Sequence, residues 1–122
     1  MSRARLELLQ WVGLFAAPLA WTVHLVAGFG ATLAACNDGG RDLSLDTWEL
    51  GLTAAALAVA LAGQAAAVAA WRATRGHRET DPPPLGRIRF LTDAALLSNT
   101  IFLVAIVLAG FGANHFAGCG QA

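Results

Sequence analysis

The chain has 122 residues, of which 57% are hydrophobic and only 13% charged, and its eight basic residues balance eight acidic ones. A domain this short buries little more than half of the surface its unfolded chain exposes, so it has no soluble interior large enough for so many Ala, Leu, Val and Phe side chains. Lipid can supply the missing interior, while the even charge balance leaves no basic face for nucleic acid and no acidic tail.

Uncharged runs of about 20 residues are what a helix needs to cross roughly 30 Å of hydrocarbon. Three runs qualify: between Glu7 and Asp38, between Glu49 and Arg72, and from Ile88 onward with no charge beyond Asp93. None alternates with a period of two, and in lipid each segment must pair its own backbone groups, so the runs predict helices rather than barrel strands. The expectation is an all-α integral membrane protein forming a single domain, with spans near residues 9–35, 48–71 and 88–112.

At 100° per residue, Gly13, Ala17, Ala20, His24, Ala27, Gly28 and Ala31 fall along one face of the first helix, and Phe15, Leu19, Val23, Val26 and Leu33 along the other. Small residues mark where membrane helices approach one another, because no hydrophobic force drives them together in lipid. The segment Leu33-Ala34-Ala35-Cys36 also matches the lipobox that precedes a lipidated cysteine, with Arg3 and Arg5 as its positive flank. Its uncharged run is far longer than the roughly 7 to 15 residues of a signal h-region and contains Pro18 and His24, which favours an ordinary first span.

Residues 36–47 are rich in Gly, Asn and Asp and predict a loop. Asp46 is placed to cap the second helix, with Glu49 at N3 of a capping box. That helix is about half alanine, inserts only marginally alone, and carries the small stripe Ala56, Ala60, Gly63, Ala67 and Ala70. Residues 72–87 form the second connection, in which Pro82, Pro83 and Pro84 favour extended polyproline geometry. On the third helix, Ala94, Ser98, Ala105 and Ala109 are the expected small face.

Seven of the eight arginines lie in the N-terminal tail or the second connection, and the first loop has Arg41 alone. The positive-inside rule then predicts a cytoplasmic N-terminus and an outer C-terminus, with Trp11 and Trp71 at the inner interface and Trp48 at the outer one. Cys36 and Cys119 both fall outside, where disulfides form, and a bridge between them would contribute on the order of 4 kcal/mol in the chain-entropy model. Pairing, a free thiol and lipidation of Cys36 all stay open at this point.

The polar residues expected at membrane depth are His24, Gln64, Asp93, Ser98 and Asn99, and such groups are functional candidates by default. Counting about 1.5 Å per residue puts His24 in the outer half, Asn99 near the midplane, and Gln64 and Asp93 in the inner half. They are too spread for one catalytic cluster. The simplest readings are a neutral His24 bonded to a neighbouring helix through Asn99 or Ser98, an ion pair from Arg89 to Asp93, and interhelical bonds from Gln64 and Asn99. Ligation of haem or metal by His24, with His115 as a second ligand, is an alternative. Neither a metal site nor a cofactor is assigned, and no phosphate-binding loop, serine elbow or HExxH points to an enzyme.

The segment Pro18-Leu19-Ala20-Trp21-Thr22-Val23-His24, then Gly28-Phe29 and Ala35-Cys36, with Phe90, Ile101-Phe102-Leu103 and Cys119 later in the chain, resembles small three-helix membrane proteins encoded near haem-copper terminal oxidases in bacteria. The resemblance implies a bacterial inner-membrane protein with an accessory or assembly role beside a respiratory oxidase. The expected partners are the bilayer and other membrane subunits, contacted through the small-residue faces. A small pore built by oligomerisation around His24, Gln64 and Asn99 is the competing expectation.

Overall fold

A computed structural model describes residues 1–37 and 45–116, apart from the side chains of Leu45, Asn114 and Phe116. Among the described residues every regular element is an α-helix, with α1 at Arg3–Asn37, α2 at Leu45–Ala73 and α3 at Leu85–Phe116. Each helix is long and apolar enough to cross a membrane. At 1.5 Å per residue even the shortest exceeds about 40 Å, so all three overrun the hydrocarbon and extend beyond the predicted spans at both ends.

Contacts between the helices fix an up-down-up bundle. Gly28 of α1 lies against Glu49 of α2, and Gly110 of α3 lies against Thr53 of α2, so the end of α1, the start of α2 and the end of α3 share one end of the molecule. The opposite end is gathered by Glu7, whose carboxylate is 3.5 Å from Arg3 and 3.8 Å from Arg87.

The α1–α2 seam is made by small residues. A Cβ placed on Gly13 would sit 3.0 Å from the Ala67 backbone, and one on Gly63 would sit 2.8 Å from the Ala16 Cβ. Gly13, Ala17, Ala20, His24 and Gly28 are buried on α1, with Ala27 and Ala31 at the edge of that face, and Ala56, Ala60, Gly63, Ala67 and Ala70 are buried on α2. Phe15, Leu19, Val23 and Val26 point outward.

The third helix departs from expectation. Its buried residues are Gly86, Ile88, Thr92, Ala95, Asn99, Ile106 and Gly110, whereas Ala94 is exposed and Ser98, Ala105 and Ala109 are only half-buried. The reason is steric. The α1 and α2 seam uses small side chains on both sides, and α3 fills the remaining space with larger ones: Ile106 closes a cluster with Ala17, Ala20, Ala56 and Ala60, and Ile88 another with Leu6 and Ala70.

Local features follow the same chemistry. Pro18 sits inside α1, where its ring denies a hydrogen bond to the carbonyl one turn back, and the Thr22 hydroxyl donates to the Pro18 carbonyl at 2.9 Å. Thr74 ends α2 by donating its hydroxyl to the Ala70 carbonyl at 2.9 Å. The connection to α3 is turned rather than extended as polyproline, because the Asp81 carboxylate accepts from the Arg78 N–H at 2.9 Å and the Asp81 N–H donates to the Arg78 carbonyl. Trp21 packs against Phe102 with ring centroids 5.6 Å apart, while Trp11 and Trp48 are exposed. Trp71 lies under two guanidinium groups, Arg75 at 4.7 Å and Arg89 at 5.1 Å.

Candidate functional site

Polar side chains inside this bundle occur at separate levels, and two of them, His24 and Asn99, are each held by a different pair of helices. Nearest the end shared by the start of α2 and the end of α3, His24 is 4% exposed and its Nε2 lies 3.0 Å from the Thr53 hydroxyl. The expected bond from His24 to Asn99 or Ser98 is not made. Asn99 instead donates from Nδ2 to the Gly13 carbonyl at 2.8 Å, tying α3 to α1. Gly110, level with Thr53, is eleven residues beyond Asn99, so His24 and Asn99 lie about 16 Å apart along α3.

Gln64 is half-buried with its Oε1 lacking a hydrogen bond, and Ser98 is half-buried on α3. The expected pair from Arg89 to Asp93 is present, Nε to Oδ2 at 3.0 Å. His115 stacks on Phe111 with centroids 4.0 Å apart and its Nδ1 lies 3.0 Å from the Phe111 carbonyl, so its ring is engaged with its own helix rather than with His24. Among the described residues no three His, Cys, Asp or Glu side chains are grouped to hold a metal ion.

Five polar residues of the interior stand outside the expected set: Gln10, Glu49, Thr74 and Thr92, which are buried, and Thr53, which is half-buried. Gln10 is 1% exposed with both amide atoms lacking partners, and the Thr92 hydroxyl is likewise unpaired. Glu49 is 4% exposed. It does not act as the N3 member of a capping box: α2 already begins at Leu45, and the Glu49 carboxylate lies over Gly28, where a Cβ would be 3.0 Å from Oε1. The signal for three of the five was present as periodicity. Gln10 continues the Gly13–Ala17–Ala20 face of α1 one turn back, and Thr53 and Glu49 continue the Ala60–Ala56 face of α2.

Around Glu49 a cavity of about 210 Å³ is lined by His24, Leu25, Gly28, Phe29, Thr32, Glu49, Ala109 and Ala113. A second, mainly apolar groove of about 260 Å³ runs between α1 and α2 past Leu19, Val23, Leu52 and Val59, with His24 also lining it. Cys36 is in the last turn of α1, and no cysteine is free among the described residues. Cys119 lies outside the described residues, and so does the pairing expected for it.

The fold and the arrangement of its polar groups define a small helical protein that fits a multi-pass place in a membrane. Two of its interior polar groups, His24 and Asn99, join helices to one another. No family model, curated protein or solved structure matches the chain.

Proposed function

We propose that this protein is a non-catalytic accessory subunit or assembly factor of a larger membrane complex, with a respiratory terminal oxidase as its host. One observation carries the reading. The chain turns its polar groups inward onto its own helices and presents large apolar side chains on all three, among them Leu19 and Val26 on α1, Leu61 on α2, and Leu97, Ile101 and Leu108 on α3. Such a body offers neighbouring subunits an apolar helical surface and commits none of its polar groups to a shared reaction centre. The resemblance to oxidase-associated three-helix proteins supplies the host.

A pore lined by His24, Gln64 and Asn99 would need these groups on a face shared between copies. His24 and Asn99 are buried and bonded within one copy, which favours the accessory reading. The arginine distribution supports a cytoplasmic N-terminus and an outer C-terminus in a bacterial inner membrane. We propose further that Cys36 and Cys119 form a disulfide on the outer side: α1 and α3 end at the same end of the bundle, and Cys36 is not a free thiol.

The test is solubilisation in a mild detergent followed by affinity capture of the tagged full chain and mass spectrometry. Copurification with a haem-containing complex is the expected result, and isolation as a lone, stable monomer would overturn the reading.

A further inference from the structure

Glu49 is an acidic side chain inside the bundle that no ion pair among the described residues accounts for. A carboxylate taken out of water is costly unless a cation and hydrogen bonds compensate it. Here it is 4% exposed, and among the described residues no arginine or histidine comes within the 4.0 Å of an ion pair. His24, on the wall of the same cavity, has a buried Nδ1 without a partner. The cavity therefore brings together the Glu49 carboxylate, with no ion-pair partner among the described residues, the ring of His24, and the hydroxyl of Thr32, which donates to the Gly28 carbonyl and keeps its lone pairs.

This set of groups selects its ligand. Anions are repelled by Glu49. A divalent metal would want more than the two ionisable ligands the cavity holds, and a quaternary ammonium would want an aromatic cage where only Phe29 is present. A primary ammonium carries three N–H donors and no acceptor, and it matches a cavity lined by a carboxylate, a hydroxyl and an imidazole.

Depth names the source. Arg75 and Arg89 stack on Trp71, and the preference of indole rings and arginines for the interface assigns this level to one edge of the hydrocarbon. About 20 residues back along α2, the length that spans the hydrocarbon, is Gly51, between Thr53 and Glu49. The cavity thus straddles the other edge, at headgroup level, and the exposed Leu25 and Phe29 flank it on the lipid side. We infer that the Glu49 cavity binds the primary ammonium of an aminophospholipid headgroup. The inference goes beyond the accessory-subunit reading and does not depend on it.

Native mass spectrometry of the full-length protein released from nanodiscs of equimolar phosphatidylethanolamine, phosphatidylcholine and phosphatidylglycerol tests this directly. The wild-type protein is expected to retain phosphatidylethanolamine over each of the other two by on the order of tenfold, the worth of one charge-assisted hydrogen bond. Glu49→Gln, which keeps the side-chain shape, is expected to abolish that preference. Equal retention of the three lipids by the wild-type protein would overturn the proposal whatever the variant does, and so would an unchanged preference in Glu49→Gln. Free ethanolamine binding without any preference for the lipid would overturn the lipid source.

Discussion

Replacing Gly13 by alanine, with Gly30→Ala as its reference, isolates what the close α1–α2 approach contributes. At Gly13 the new methyl would lie 3.0 Å from the Cα and N of Ala67 and 3.1 Å from its Cβ, where optimal carbon contacts are about 3.5–4.0 Å. Two of these neighbours are backbone atoms of a helix, so relief requires the whole of α2 to move outward by roughly half an ångström or more. That movement would also disturb the Gly13 carbonyl that accepts from Asn99. Overpacking of this kind costs about 1–3 kcal/mol. At Gly30 nothing lies within 4 Å of the added methyl. Both variants gain the same helix propensity, about 1 kcal/mol for removing a helical glycine, so their difference reports packing alone. Reversible unfolding in mixed micelles, followed by tryptophan fluorescence, should place Gly13→Ala about 1–3 kcal/mol below Gly30→Ala. Equal stability of the two variants would refute the small-residue seam as the contact that sets helix separation.

Three further outcomes follow from the bonds inside the bundle. Asn99→Leu removes the 2.8 Å bond to the Gly13 carbonyl and should lower unfolding stability by about 1 kcal/mol, within the range of interhelical hydrogen bonds in membranes. Thr53→Val keeps the side-chain volume but leaves both His24 nitrogens without partners, and a loss of about 1–2 kcal/mol is expected in the same assay. The intact mass of the protein purified without reductant should fall short of the reduced chain by one molecule of hydrogen, and reduction should lower its thermal stability. An acylated chain beginning at Cys36 would contradict both the bridge and the first span.

Much of the fold was legible because a bilayer imposes a simple ruler. Uncharged length located the three helices, and the positions of Gly13, Ala17, Ala20 and Ala56 to Ala70 identified the faces on which α1 and α2 meet. The same rule misplaced the face of α3, since smallness marks close approach and α3 serves instead to fill space with Ile88 and Ile106. Polar partners were harder to read. That His24 bonds Thr53 and Asn99 bonds Gly13 depends on the relative heights of the helices, which no spacing within one helix reports. Glu49 was obscured for a different reason: its position three residues after Asp46 near the start of α2 suits a capping box, and only the approach of Gly28 shows that its carboxylate is turned inward. The turned path of residues 74–84 was hidden behind its prolines, because Asp81 supplies the bonds that fold it.

The central claim is that this apolar, internally bonded bundle serves a larger assembly rather than acting alone. The most direct measurement is capture of the tagged full-length chain in mild detergent, with a haem absorbance spectrum and mass spectrometry of the eluate. Subunits of a haem-containing oxidase in constant proportion to the chain are the result the account predicts. A stable monomer eluting without haem or companion subunits would contradict it.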